Sequence, residues 1–229
     1  MATTPRAPGA SLHTVLLDID GTLLDSNDAH ARAWVRALAE HGYVVPFDQV
    51  RSRIGMGGDK LLPKVSGLDP DSGEAERIGE TRGQIFRRDE LPALHPTPGA
   101  RALLEHLASR DLELVVATSA AAEEVRALLE QAGVADLIEA AASADDAERS
   151  KPDPDIVLAA LRKVGRPASH CVMIGDTPYD VEAATRARVP IIAFRCGGWT
   201  DDALDGALAV FDHPADLLAR IAQSPLRPL

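Results

Sequence analysis

The 229-residue chain is 45% hydrophobic and 26% charged, the balance of a globular protein with length for one sizeable core and a modest insertion. Its formal net charge of −11 argues against a sequence-independent nucleic-acid binder, which needs a basic surface to replace phosphate counterions, and against an anionic membrane surface as partner. Any anionic substrate therefore has to be held by local positive charge, a metal ion or oriented backbone N–H groups.

In chain order, Met1 to Ala10 carries small polar residues and two prolines without the apolar stretch of a secretory leader, and reads as a loose tail. Thr14-Val15-Leu16-Leu17 is a short apolar run that feeds Asp18-Ile19-Asp20-Gly21-Thr22, the pattern of a buried strand ending in a polar turn. Residues 28–95 follow with several helical patterns and no strand-like run. Trp34, Val35 and Leu38 share one helix face, and Glu74 to Leu91 reads as a longer, highly charged helix. That stretch is too long for a simple crossover. It is expected to be a small helical domain inserted into a core of residues 1–27 and 96–229, with Ser26-Asn27 and Pro96-Thr97-Pro98-Gly99 as hinges.

After the insertion, apolar runs at Leu112–Ala117, Cys171–Ile174 and Ile191–Phe194 alternate with helical patterns at Ala100–Ser109, Ala121–Ala132, Asp155–Val164 and Tyr179–Arg188. Strands alternating with helices of this length imply parallel pairing, hence an α/β fold with a doubly wound, Rossmann-like sheet. Such sheets bind ligands beyond the carboxyl ends of their strands. Asp18, Asp20, Thr118 and Asp176 all fall at those ends. No apolar run approaches the ~20 residues needed to cross a bilayer. The two cysteines, Cys171 and Cys196, have neither C-x-x-C spacing nor a Cys/His cluster around them. A reducing, cytoplasmic setting is the expectation.

Two aspartates at i and i+2 on extended backbone point the same way. One carboxylate can then attack an electrophile while the other serves its leaving group: Asp18 as nucleophile, Asp20 as acid and then base toward the hydrolytic water. Gly21 permits a close turn and backbone N–H approach to phosphate oxygens. Only four of the 24 Lys and Arg residues are lysines, yet Lys151 stands in a proline-framed loop, Ser150-Lys151-Pro152-Asp153-Pro154, before a helix. A cation there would neutralise charge around Asp18. Gly175-Asp176-Thr177-Pro178-Tyr179-Asp180 adds two more carboxylates directly after a buried strand, hard oxygen donors of the kind Mg²⁺ takes.

These four segments, in this order, resemble motifs I to IV of the haloacid dehalogenase superfamily of aspartate-nucleophile hydrolases, from His13 to about Phe194. The resemblance implies a Mg²⁺-dependent hydrolase in which Asp18, Asp20, Thr118 and Lys151 are catalytic. By the same resemblance, the Thr118 hydroxyl and the Ser119 amide hold a phosphoryl oxygen. The metal site it implies consists of Asp18, the Asp20 main-chain carbonyl and Asp176, with Asp180 as a further ligand or support. The insertion is similar to the family's helical C1-type cap, and its glycine-rich turn, Arg53-Ile54-Gly55-Met56-Gly57-Gly58-Asp59-Lys60, is similar to a specificity loop. Arg53 and Lys60 are the candidates for contacting the substrate's distal group.

Asp20 argues against carbon–halogen cleavage, because true haloacid dehalogenases lack it. Phosphonoacetaldehyde hydrolases also replace it, and an Asp59 beside Lys60 favours the protonated amine over a Schiff base. Beta-phosphoglucomutases resemble the chain more closely, but they usually carry Glu-Asp where this chain has Gly175-Asp176. The implied activity is therefore a phosphatase of the phosphoglycolate-phosphatase-like group, with a phosphosugar mutase as the alternative; a non-catalytic phosphate-binding module would have lost at least one motif residue, and none is lost. Its partner would be a small phosphorylated metabolite; monomer and homodimer both remain open.

Overall fold

The computed structural model describes residues 12–226, so the Met1–Ala10 tail lies outside the described residues. Thr14–Leu17 forms β1, and all four residues are fully buried. A strand covered on both faces has no need of polar alternation, which is why it reads as a continuous apolar run. It pairs in parallel with β2 (Glu113–Ala117) on one side and β4 (Cys171–Gly175) on the other, with Leu16 between Val115 and Met173. Outward from these, β3 (Ala140–Ala142) joins β2, β5 (Ile191–Phe194) joins β4, and β6 (Ala209–Phe211) joins β5. The result is a six-stranded parallel sheet of order β3-β2-β1-β4-β5-β6.

The order reverses at β1, so a crevice opens beyond its carboxyl end, flanked by the tips of β2 and β4. Alternate residues of these strands build two separate cores. Val15, Leu17, Leu114, Val116 and Ile174 pack with Leu103 and Leu107 of α5 (Ala100–Ala108) and Leu128 of α6 (Ala122–Gln131). Leu16, Val115 and Met173 pack with Ile156 and Ala160 of α7 (Asp155–Val164) and Ala183 and Ala184 of α8 (Pro178–Arg186). Each buried aliphatic side chain contributes roughly 1.5–3 kcal/mol, so the strand tips rest on a stiff platform.

Between β1 and α5 the regular structure is helical: α1 (Asn27–Glu40), α2 (Phe47–Arg51), α3 (Gly58–Ser66) and α4 (Gly73–Ile85). Ala33, Trp34, Ala37 and Leu38 give α1 a buried stripe at helical spacing, and it packs on α2 and α4. The Ser72 side chain caps α4 by accepting the Ala75 N–H, and the helix runs on through a π-helical turn at Phe86–Glu90. The two connections to the sheet lie side by side. Asp25 N–H donates to the His95 carbonyl at 3.0 Å and Thr97 N–H to the Leu23 carbonyl at 3.0 Å, around an antiparallel bridge of Leu24 with Pro96.

The structure adds edge strands β3 and β6, which hydropathy does not mark. Ala140-Ala141-Ala142 has helix-forming side chains, yet it becomes a strand because its backbone completes the edge of β2, pairing Val115 with Ala140 and Ala117 with Ala142. The helix expected at Tyr179–Arg188 is shifted: Pro178 occupies its first turn, and it ends at Arg186, ahead of the left-handed Arg188 (φ 60°). Among the described residues no helix is long and apolar enough to cross a membrane.

Candidate active site

Sheet geometry delivers the first three charged groups to one point. Asp18 follows β1 and its N–H donates to the Ile174 carbonyl of β4 at 2.9 Å, which fixes its backbone. Asp176 follows β4, and Lys151 enters from the loop before α7. Asp18, Lys151 and Asp176 are 4%, 1% and 0% exposed, so their charges meet away from bulk water. Lys151 Nζ donates to Asp18 Oδ1 at 2.7 Å and lies 2.8 Å from Asp180 Oδ1, an ion pair whose angle leaves that oxygen without a hydrogen bond. Asp18, Asp176 and Asp180 bring carboxylate oxygens within 4.8 Å of one another.

Three carboxylates against one ammonium leave two negative charges in a buried pocket. Burial, and the neighbouring Asp180 and Asp20 charges, outweigh Lys151 and raise the Asp18 carboxyl to about 7. Asp176 is raised well above the usual carboxylate range by burial and by repulsion from Asp180 and Asp18. The two groups resist ionisation because burial and mutual repulsion disfavour their charged forms, and a cation among them would relieve both. An all-oxygen donor set with a residual charge of −2 fits a hard divalent ion.

The turn after β1 and the segment after β5 shape this pocket around Asp176. Thr22 Oγ1 donates to its Oδ1 at 2.8 Å and Asn27 Nδ2 to its Oδ2 at 2.8 Å. Gly21 holds a positive φ of 77°, and a Cβ there or on Gly197 would fall inside the contact distance of Asp176 Oδ2. Asp180 has a double part. Its Oδ2 accepts the Thr177 N–H at 3.0 Å and hydroxyl at 2.7 Å, completing a capping box at the start of α8, while Oδ1 faces Lys151.

Asp20 sits apart from this cluster, facing the α1–α4 helices. Its Oδ1 accepts the Ser26 hydroxyl at 2.6 Å and lies 2.8 Å from His30 Nε2, whose ring stacks on Phe86 at 3.9 Å between centroids. Burial pushes this carboxyl up, but the attraction and hydrogen bond of His30, with smaller help from Ser26 and Arg82, hold it below its ordinary value. The two aspartates of the turn therefore have environments that drive them apart, Asp18 upward and Asp20 downward, so Asp18 needs a cation beside it to act as a nucleophile and Asp20 needs a proton delivered to act as an acid.

A cavity of about 60 Å³ opens onto Asp18 and Asp20. Thr118 and Ser119 at the tip of β2 line its core side; the Ser119 hydroxyl is buried without a partner, and Thr118 Oγ1 accepts the Ala120 N–H at 3.1 Å. The opposite wall is His30, Trp34, the Ile54–Gly58 turn and Arg82. Arg53 and Lys60 are absent from that lining. Lys60 pairs with Asp153, Asp59 Oδ1 accepts the Ser150 hydroxyl at 2.5 Å, and Gly57 N–H donates to Ser150 Oγ at 3.1 Å. The turn thus presents backbone to the cavity and ties its side chains to the loop carrying Lys151. Asn27, Gly197, Arg82 and Glu124 join the site without a sequence signal beyond position, whereas Thr22 closes the Asp18–Thr22 turn that the sequence marks. His30 and Trp34 had one as an i, i+4 pair one turn into the helix after the Asp18-x-Asp20 turn.

A model of haloacid dehalogenase-like hydrolases matches residues 12–188. The chain is 35% identical over 217 residues to a phosphoglycolate phosphatase of Rhodospirillum rubrum, covering 89% of this chain and 88% of that one. A crystallised hydrolase from Pseudomonas syringae is 32% identical, with a TM-score of 0.85 over 92% of this chain and 98% of its own. A beta-phosphoglucomutase from Clostridium difficile shares the fold at 17% identity, with a TM-score of 0.78 over 94% of this chain and 97% of its own. The chain belongs to the haloacid dehalogenase-like hydrolase family, in the group where phosphoglycolate phosphatases and beta-phosphoglucomutases meet.

Proposed function

We propose that the protein is a Mg²⁺-dependent phosphatase of a short phosphomonoester, phosphoglycolate being the candidate that its relatives' names suggest, and that it works through a phosphoryl group carried on Asp18. The observation that carries this reading is the buried cluster of Asp18, Lys151, Asp176 and Asp180, with Asp20 standing next to the nucleophile but outside the cluster. Mg²⁺, held by Asp18, Asp176, the Asp20 main-chain carbonyl and, directly or through its support, Asp180, would offset charge between the nucleophile and the phosphate. Lys151 orients Asp18 and opposes the burial that resists its ionisation, and the Thr118 hydroxyl, the Ser119 amide and the turn at Gly21 offer donors to phosphoryl oxygens.

In the first half-reaction an Asp18 oxygen bonds to phosphorus as the ester P–O bond breaks, and the departing oxygen takes a proton from Asp20. Asp20 is held as a carboxylate at rest, so this proton has to be supplied, and His30 Nε2 at 2.8 Å is the group positioned to supply it. In the second half, water attacks phosphorus, gives a proton to Asp20, which passes it back to His30, and the Asp18 carboxylate and inorganic phosphate are released. Residues 28–95 act as a cap over this chemistry, swinging on the paired connections at Leu24 and Pro96. The cavity, far smaller than the roughly 300–1,000 Å³ of pockets for larger ligands, supports a leaving group of a few atoms. The test is release of phosphate from p-nitrophenyl phosphate and phosphoglycolate, with and without Mg²⁺, by the wild type and Asp18→Asn. Turnover by the variant equal to wild type would reject the reading. A cytoplasmic location goes with a soluble metabolite as substrate.

A further inference from the structure

The wall of the cavity opposite the Thr118–Ser119 strand tip carries Arg82 in an ion pair with Glu124, and the chemistry above uses Arg82 only for a small share in holding Asp20 down. Arg82 of α4 donates through Nη1 to Glu124 of α6, at 3.2 Å to Oε1 and 3.1 Å to Oε2, so the pair spans from the inserted helices to the sheet's own helix layer. Trp34 lies under the guanidinium, 5.3 Å from its ring centroid to Cζ. The same three residues also line a second, larger cleft of about 670 Å³ on the outer side. The pair is therefore the partition between the chamber of Asp18 and Asp20 and the outside, at the end of the space open to a leaving group.

Three features make Arg82 a reader of that group. Arg82 is the one guanidinium or ammonium that lines the inner cavity among the described residues. Its Nε is buried with no acceptor, a donor left unpaired at a wall built for ligand contact. Glu124, only 3% exposed, has a second cation in Arg87, whose Nη1 is 3.5 Å from Oε1, so Glu124 stays compensated if Arg82 turns toward a ligand. Beyond the partition, Asp59, Glu76, Glu80 and Glu123 outnumber Arg87, so an anion gains nothing by reaching past Arg82.

Resting on the phosphatase reading, we infer that Arg82 is the specificity-determining residue that binds a carboxylate at the distal end of a short leaving group, making the preferred substrate the phosphate ester of a small hydroxy acid. Guanidinium meets carboxylate through two parallel N–H donors, which neither a neutral alcohol nor an amide reproduces.

The experiment compares kcat/KM for phosphoglycolate, its amide isostere and ethyl phosphate, with Mg²⁺ present, for wild type, Arg82→Gln and Arg82→Lys. Wild type is expected to favour the carboxylate ester over its amide by roughly 10- to 150-fold, the range of a charge-assisted hydrogen bond. Arg82→Gln is expected to abolish most of that preference, losing at least about tenfold more on the carboxylate ester than on ethyl phosphate. Arg82→Lys, which keeps charge and bulk, retains part of it and serves as the folded control. Equal losses on all three esters, or a wild type indifferent to the carboxylate, would overturn the assignment while leaving the phosphatase intact. Failure of wild type to release phosphate from any of them would overturn the phosphatase reading and this one with it.

Discussion

Replacing Lys151 with Met keeps the volume of the side chain and removes the cation from a buried acidic cluster. Its Nζ stands 2.7 Å from Asp18 Oδ1 and 2.8 Å from Asp180 Oδ1. At an effective dielectric of about 20, each contact carries an attraction of roughly 6 kcal/mol before desolvation is charged against it. Breaking such a buried arrangement by removing one partner costs about 3–5 kcal/mol net. For a domain of this size each kcal/mol lowers Tm by about 2–4 °C, so the metal-free variant should melt roughly 6–20 °C below wild type at pH 7.5. Lowering the pH allows carboxylates to protonate, and the gap should narrow as the pH falls below about 7, where Asp18 takes up its proton. Scanning calorimetry in EDTA across that pH range measures it. A variant within 2–3 °C of wild type at pH 7.5 would refute the idea that Lys151 holds uncompensated carboxylates together.

Three further outcomes follow from the same geometry. Gly197→Ala sets a methyl against Asp176, 2.7 Å from its Cβ and Cγ, and should cost about 1–3 kcal/mol of stability and at least about 100-fold in phosphatase activity; activity within threefold of wild type would contradict the packing. With Asp18 at about 7 against an unfolded 3.8, the carboxyl is harder to ionise in the fold, so metal-free stability falls as pH rises from about 4 to about 7. A divalent ion binds the ionised form, so the Mg²⁺-induced rise in Tm should be larger at pH 8 than at pH 5.5, and the reverse order would sink the site. His30→Ala removes the contact that holds Asp20 down, so the acid limb of the kcat–pH profile should move to higher pH with a loss of roughly 10- to 100-fold; an unmoved limb would remove His30 from the proton path.

The sequence made legible what depends on runs and on strand ends. Four central strands announced themselves because strands buried on both faces are uniformly apolar, and Asp18, Thr118 and Asp176 were readable because each follows such a run directly. Lys151 was visible through scarcity of lysine and its proline frame. The edge strands were hidden because three-residue pairings such as Ala140–Ala142 are dictated by the neighbouring strand and not by their own side chains. The wall facing the sheet was hidden for a similar reason: Arg82 and Glu124 meet across 42 residues, and periodicity along α4 or α6 cannot report a partner on another element. Lys60 drew attention by standing next to a glycine-rich turn, yet the fold turns it to Asp153, while the glycines themselves form the wall.

The most direct measurement is an acid quench of the Mg²⁺-loaded enzyme within milliseconds of mixing with substrate, followed by peptide mass analysis. The account predicts a transient gain of one phosphoryl mass on the peptide containing Asp18, which decays at the rate of phosphate release and is missing in Asp18→Asn. A phosphoryl group on another residue, or full turnover with no phosphorylated peptide at any time, would contradict it.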